Sequence, residues 1–337
     1  MSLSIIIPFK NDDEELPRVL EHLLSTSNTE HSNLEIIVVN DGSQNHFGKF
    51  VPLEKLVPME IDYPNVRVIN NSKSFGVGAS FDRGVENCKY ENIVLMGCDV
   101  FPKEGWYEKV RNEISRNPNS IGCAVCVGDK PPYRKYYGAD MLITMGNDDL
   151  PPKSKLRERR GGYTSLFKGK WAEKRGNEPY DIACLMGAMY FTTKSWYNKI
   201  HGWDTLPNVR HRGHMYWGSL EPYISLKSWL YGGGCYLTPD IEATHLFNRV
   251  NKKNKYSKGL RSAEFMWWNA LFILETMVLN DFTRNRIYDF VNPELNFKVA
   301  KQMIKKNYDT VLQVRNRNRL EFKIDLREYI DKFNIKI

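Results

Sequence analysis

Two aspartates close short apolar runs: Asp99 ends Ile93-Val-Leu-Met-Gly-Cys-Asp99, and Asp41 ends Glu35-Ile-Ile-Val-Val-Asn-Asp41. A carboxylate in that position stands at the C-terminal edge of a buried strand, where open α/β sheets hold their ligands. Hard carboxylate oxygens suit Mg2+ or Mn2+, so a cation kept there can press against a diphosphate. Each residue also has a plainer reading. Asp99 can be a solvated turn residue before Pro102 and Gly105, and Asn40-Asp41-Gly42-Ser43 is made of turn formers.

The elements that must carry these groups follow from the apolar pattern. Leu3–Ile7 reads as a first strand stopped near Pro8, Glu35–Val39 as a second, Val66–Ile69 as a third and Ile93–Met96 as a fourth. Leu16, Val19, Leu20, Leu23 and Leu24 form one helical stripe, and a helix is expected over Ala79–Cys88. Strands alternating with helices at this spacing predict βαβ units in a mostly parallel sheet. All the polar loops then converge on one edge. Gly76-Val-Gly78 lacks the third glycine of a dinucleotide fingerprint and follows a loop, which argues against a nicotinamide-cofactor site.

The chain's 337 residues suffice for one large or two smaller domains, and 42% hydrophobic with 26% charged residues is ordinary globular composition. No apolar run approaches the ~18 residues that span a bilayer, and no secretory leader is evident, so a cytoplasmic protein is expected. Six cysteines are scattered. Cys123 and Cys126, three apart in an expected strand, face opposite ways and cannot clamp one metal. The net charge of +8 favours an anionic partner. Part of it is clustered: Lys153–Arg175 holds nine basic and two acidic residues, and Arg249–Arg261 holds six basic and no acidic ones.

Ser4-Ile-Ile-Ile-Pro8, Glu35-Ile-Ile-Val-Val-Asn-Asp-Gly-Ser43 and Val94-Leu-Met-Gly-Cys-Asp99 together resemble the nucleotide-sugar module of family 2 glycosyltransferases, which have the GT-A fold. Met186-Gly-Ala-Met-Tyr-Phe191, Gly202-Trp-Asp204 and Trp217-Gly-Ser-Leu-Glu-Pro-Tyr-Ile-Ser-Leu-Lys-Ser-Trp-Leu-Tyr-Gly-Gly233 are similar to polypeptide N-acetylgalactosaminyltransferases. Pro239, His245, Arg249 and Arg261-Ser-Ala-Glu-Phe-Met-Trp267 continue that likeness, which covers roughly residues 2–268. It implies a Rossmann-like, mostly parallel α/β sheet flanked by helices. Residues 1–270 would be the catalytic domain, 1–110 its nucleotide-sugar half and 111–270 its acceptor half. Residues 271–337 would be a helical extension.

The resemblance also implies roles. Asn40 and Asp41 would contact the uridine, with Pro8, Lys10, Ser43, Gly76, Asp82, Arg83, Gly97, Cys98 and Arg249 completing the donor site. Asp99 would ligate Mn2+ or Mg2+, and His245 would complete the metal site, an imidazole favouring Mn2+. Gly187, Trp203, Asp204, Trp217 and Glu221 would line the acceptor side. Two positions depart from the family pattern. Asn40 replaces an aspartate but keeps groups for a base edge, whereas Gly97 replaces the first carboxylate of Asp-x-Asp and carries no ligand atom.

Glu221 falls where family 2 enzymes place their catalytic carboxylate. With a pKa lifted by partial burial it could take the acceptor's proton; it equally suits the N-terminus of a helix over Glu221–Leu230 with Pro222 in the first turn. His245, apart from the resemblance, reads as a structural histidine. Arg249, Lys252, Lys253 and Lys255 read either as a lid over the diphosphate or as a solvated basic loop. Residues 281–337 look helical and are expected to help bind the acceptor, so that their removal would abolish transfer and spare donor hydrolysis.

The reading is a metal-dependent transferase that moves a sugar from a UDP-sugar to a hydroxyl on a saccharide, a protein side chain or a hydroxymethylated DNA base. Aromatic residues among the basic 153–175 run suit the DNA option. Retention and inversion both stand. A nucleotidyltransferase would share the sheet but normally shows a Gly-rich basic loop after the first strand. A non-catalytic nucleotide-sugar binder would release no UDP when acceptor is added.

Overall fold

The computed structural model describes residues 2–11, 14–27, 33–45, 49–53, 65–143, 166–187, 189–204, 219–247, 263–290 and 295–335. Its first half alternates β1 (Leu3–Phe9), α1 (Glu15–Thr26), β2 (Leu34–Asp41), β3 (Val66–Asn71), α2 (Val77–Asn87) and β4 (Asn92–Met96). Next come β5 (Val100–Pro102), α3 (Trp106–Arg116), β6 (Ile121–Gly128), β7 (Lys135–Tyr136), β8 (Ala139–Leu142), β9 (Lys168–Trp171) and β10 (Tyr180–Asp181). The chain continues through β11 (Met189–Thr193), α4 (Lys194–Lys199), α5 (Leu220–Leu230) and β12 (Cys235–His245). It closes with α6 (Ala263–Met277), α7 (Asp281–Phe290), α8 (Leu295–Lys306), α9 (Tyr308–Glu321) and α10 (Leu326–Lys332).

The main sheet runs β10-β12-β6-β11-β4-β1-β2-β3, with β5 beside β12 and β7 beside β6. Its N-terminal half, β3-β2-β1-β4, is parallel throughout, as the alternation of strands and helices predicts. β11 enters antiparallel between β4 and β6, and β12 returns parallel to β6. The strands bury both faces: Leu3, Ile5 and Ile7 pack with Leu16, Val19 and Leu20 of α1 and with Trp106 and Val110 of α3. Ile6 and Ile37 pack with Phe81 and Val85 of α2 in the opposite core, which extends to α5 and the closing helices.

The helix expected to begin at Ala79 begins two residues earlier, behind Gly76 at φ +104°, a conformation few residues other than glycine adopt. Gly187, at φ +135°, likewise lies just ahead of β11, which starts at Met189. Cys123 and Cys126 do face opposite ways. Burial pushes both thiols up to about 12, which suits inert, reduced cysteines; none of the six is in a disulfide.

The closing helices are part of the core. α6 is buried all round from Trp267 to Met277, and α8 and α9 pack on it. Arg315 of α9 pairs with Glu275 of α6, Asn318 Nδ2 donates to Thr276 O at 3.0 Å, and Tyr329 Oη donates to Ala183 O at 2.9 Å. This corrects the expectation that the segment can be removed while donor hydrolysis is spared. Ile287, Phe297, Ile304, Val311 and Val314 are each at most 5% exposed. At about 1.5–3 kcal/mol apiece, they alone match a typical net stability of ~5–15 kcal/mol. A chain ending at Asn280 is therefore expected to be insoluble or unfolded, losing donor hydrolysis along with transfer; circular dichroism and recovery in the soluble fraction check this.

Candidate active site

The sheet reverses its order at β1, with β2 and β3 on one side and β4 on the other, and such a switch point is where open α/β sheets bind ligands. β1 stays paired with β2 through Phe9↔Asn40, but with β4 only through Ile6↔Leu95. The edges part beyond Ile6. Pro8, which has no N–H to give, sits where no β4 partner remains. Lys10 and Asn11 leave one lip of this opening, and Gly97-Cys98-Asp99, all partly exposed, form the other.

β5 starts at Val100 and pairs antiparallel with the end of β12, so His245 lies opposite Val100. Leu246 N donates to Asp99 O at 3.1 Å, locking the two segments together. His245 Nε2 then stands 3.3 Å from Asp99 Oδ2. Donors each about 2.0–2.1 Å from one octahedral cation lie roughly 3 Å apart, so the pair fits a shared ion. The imidazole is held by the fold more than by its own bonds: Nδ1 is buried with no hydrogen-bond partner among the described residues, and its ring packs on Phe247 at 4.3 Å. No cluster of three or more His, Cys, Asp or Glu ligands occurs among the described residues. Glycine at 97 also gains a reason. A Cβ there would lie 2.6 Å from Asp99 Oδ1, so a side chain would crowd the carboxylate.

The uridine-side residues are placed together at the same rim, but much of their hydrogen-bonding capacity is used internally. Asn40 is fully buried; its Nδ2 donates to Asn70 Oδ1 at 2.8 Å and Val51 O at 3.1 Å, and its Oδ1 accepts from Ser43 N at 3.0 Å. That corrects the expectation that its amide reads a base edge, because both amide protons are spent. A carboxylate here would face two acceptors, which is why asparagine replaces aspartate. Asp41 accepts from Ser74 Oγ at 2.5 Å, Phe75 N at 2.7 Å and Gly76 N at 3.1 Å, so it fixes the entry to α2. Ser43 Oγ accepts from Asn11 N at 3.1 Å, tying the β1 and β2 loops together. Arg83 pairs with Asn71 at the end of β3. Lys10 is half-buried, and burial lowers its pKa to about 8 although Asp41 pulls the other way.

Three residues expected at the ligand are instead committed to packing. Asp82 Oδ1 accepts from Tyr197 Oη at 2.5 Å and Trp203 N at 2.9 Å. Trp203 is 2% exposed and stacks on Phe81. Asp204 is buried between Lys227 and Arg317. Their polar atoms serve neighbouring elements, which corrects their assignment to donor or acceptor contacts. Gly187 lies at the turn into β11, with a Cβ position 3.2 Å from Cys126 Cβ. Trp217 and Arg249, with Lys252, Lys253 and Lys255, lie outside the described residues.

Glu221 occupies the first turn of α5. It is partly exposed, yet desolvation raises its carboxyl above the ordinary value; its own backbone N–H, Tyr190 and the nearby His245 act against the shift. Tyr190 Oη donates to Glu221 Oε1 at 3.4 Å and to Gly187 O at 3.3 Å. Sequence reasoning missed Tyr190, although alternation along β11 would have put it on the α5 face. It also missed a half-exposed group of rings beside His245, in which Tyr136 stacks near Trp171 at 4.5 Å and Phe247 meets both. Nothing local in the sequence marks Phe247.

A mixed α/β sheet with a parallel N-terminal half, opened at its switch point and closed by a returning strand, is the GT-A architecture. A profile of the Glycosyl transferase family 2 domain matches residues 4–189, more than half of the chain. The chain belongs to that family. Human polypeptide N-acetylgalactosaminyltransferase 14 is 20% identical over 281 residues, 78% of this chain and 45% of the relative. A dolichyl-phosphate beta-glucosyltransferase of Trichomonas vaginalis is 24% identical over 133 residues, 38% of this chain and 40% of the relative. The chain thus spans less than half the length of these curated relatives. Among solved structures, GalNAc-T7 with UDP, GalNAc and Mn2+ superposes with a TM-score of 0.61 at 16% identity, covering 99% of this chain and 55% of that one. Among the described residues, no helix is long and apolar enough to cross a membrane.

Proposed function

We propose that this chain transfers a sugar from a UDP-sugar to an acceptor hydroxyl, using Mn2+ or Mg2+ held by Asp99 and His245. The observation that carries the reading is the carboxylate–imidazole pair, 3.3 Å apart, on the lip of the β1/β4 opening. GalNAc-T7, whose fold this chain shares, was crystallised with UDP and Mn2+, which supports the donor and the metal. When bound, the cation neutralises charge on the departing diphosphate.

The chain's own residues supply the rest. Lys10 brings a half-desolvated ammonium to the facing lip, where it attracts the diphosphate. Asn40, Asp41 and Ser43 shape the loops that receive the nucleoside. Glu221, with its raised pKa, accepts the proton of the attacking hydroxyl, the role an inverting transfer requires; the anomeric configuration of the product, read by NMR, tests that assignment. The acceptor is a saccharide or a protein side chain, the latter supported by the polypeptide that the human relative's name gives. The basic run proposed for a DNA acceptor lies largely outside the described residues, and nothing in the described site favours DNA.

The pH dependence follows with a defined sign. Glu221 must be ionised to take a proton, so kcat/KM rises with pH through its raised value. Lys10 must be protonated to hold the diphosphate, so kcat/KM falls as pH passes about 8. A bell is expected, its alkaline limb near 8 and its acid limb above the ordinary carboxylate value of ~4.3. Lys10→Arg, which stays charged, should remove the alkaline limb. Incubating the protein with a panel of UDP-sugars, Mn2+ and candidate acceptors, with mass spectrometry of the products, tests the function as a whole. Absence of both product and UDP release across the panel contradicts it.

A further inference from the structure

Asp204 is 5% exposed, and its carboxylate lies among groups from two helices, α5 and α9. Its Oδ2 accepts from Tyr223 Oη at 2.5 Å and Lys227 Nζ at 2.6 Å, both on α5, and its Oδ1 pairs with Arg317 of α9 at 2.7 Å. Lys227 also donates to Gly202 O at 2.9 Å. One residue before Asp204, Trp203 Nε1 donates to Leu220 O at 3.2 Å, and Leu220 directly precedes Glu221. The turn at 201–204 is therefore stapled to the first two turns of α5 by bonds at Leu220, Tyr223 and Lys227. A buried carboxylate facing two cations resists being pulled apart, since each remaining charge would be left unpaired.

Resting on the reading above, we propose that Arg317, acting through Asp204, is a positioning residue for Glu221. The guanidinium arrives from the closing helices, so α9 reaches the candidate base without touching any substrate. Arg317 is the member whose loss is most easily borne. Its side chain is 26% exposed, against 2% for Asp204 and 0% for Lys227, and Asp204 keeps Lys227 when it is gone. What changes is the rigidity of the first turn of α5. Misplacement of a base by about 1 Å can cost on the order of 10²-fold in rate.

The test uses the full chain with Mn2+ and UDP-N-acetylgalactosamine or UDP-glucose, and follows UDP release to water together with UDP affinity. Arg317→Gln is expected to lower kcat at least tenfold with UDP affinity and donor KM unchanged, and Arg317→Lys to restore part of the loss. Tyr223→Phe, which removes one hydroxyl, should lower kcat in the same direction. The double variant should fall short of the product of the two losses, because both act through one carboxylate. Unchanged kcat in folded Arg317→Gln or Tyr223→Phe overturns the proposal, as does equal loss of UDP affinity. If the wild-type chain neither binds UDP nor releases it from either donor, the functional reading itself fails. If it does both while the variants match it, only the positioning role fails.

Discussion

Asp99→Ala is expected to lose at least about 10³-fold in kcat/KM for UDP-sugar turnover. A cation on a diphosphate contributes several kcal/mol of charge stabilisation in the transition state, and each 1.36 kcal/mol is tenfold in rate. Only two side chains of ligand type converge at this site among the described residues, so removing one leaves a single imidazole. Fold stability should hardly move, because Asp99 is partly exposed and its backbone, not its side chain, joins β5 to β12. Asp99→Asn separates charge from shape: it keeps the oxygen and should still lose most of the metal. His245→Ala should weaken metal binding while leaving an exposed notch beside Phe247. Steady-state kinetics over a Mn2+ titration checks all three. A rate independent of Mn2+ in wild type, or retained in Asp99→Ala, removes the metal from the account.

Glu221→Gln gives the second large effect, with the opposite signature on binding. A positioned general base is worth about 10²–10⁴ in rate. The amide keeps the size of the side chain and can still accept from Tyr190, so α5 should start as before. The expected result is a kcat loss within that range, an unchanged donor KM and loss of the acid limb of the pH profile. Tyr190→Phe is a milder companion. Its hydroxyl opposes the rise in the Glu221 pKa, so its removal should move the acid limb to higher pH. If Glu221→Gln instead raises KM alone, the residue contributes binding and not proton transfer. The kinetic split therefore separates the base from the helix-terminal carboxylate that the sequence equally allowed.

The parallel half of the fold was legible because three of its strands, β1, β2 and β4, are buried on both faces and read as largely apolar runs. Each is followed by, or ends in, polar residues (Lys10, Asp41 and Asp99 among them) that lie toward one edge. Asp99 and His245 are 146 positions apart, and only the resemblance, not any local pattern, joined them before the β5–β12 pairing was known. Local chemistry misled where a polar side chain turned inward. Asn40 and Asp41 look like ligand groups on a loop, yet their bonds to Val51, Asn70 and the 74–76 turn are made to residues 11 to 35 positions away. Asp204 carries the same lesson: its partner Arg317 is 113 positions downstream, in a segment with no recognisable motif. The closing helices looked separable because periodicity shows which face of a helix is apolar, but not what covers it.

The central claim is a cation shared by Asp99, His245 and the diphosphate of the donor. Electron paramagnetic resonance of free Mn2+, titrated with protein and then with UDP, reads it without any need to know the sugar or the acceptor. Wild-type protein should quench the free-ion signal weakly alone and strongly once UDP is added, and Asp99→Ala should do neither. Quenching by Asp99→Ala with UDP as strong as that of the wild type, or no response of the wild type to UDP, would contradict the account.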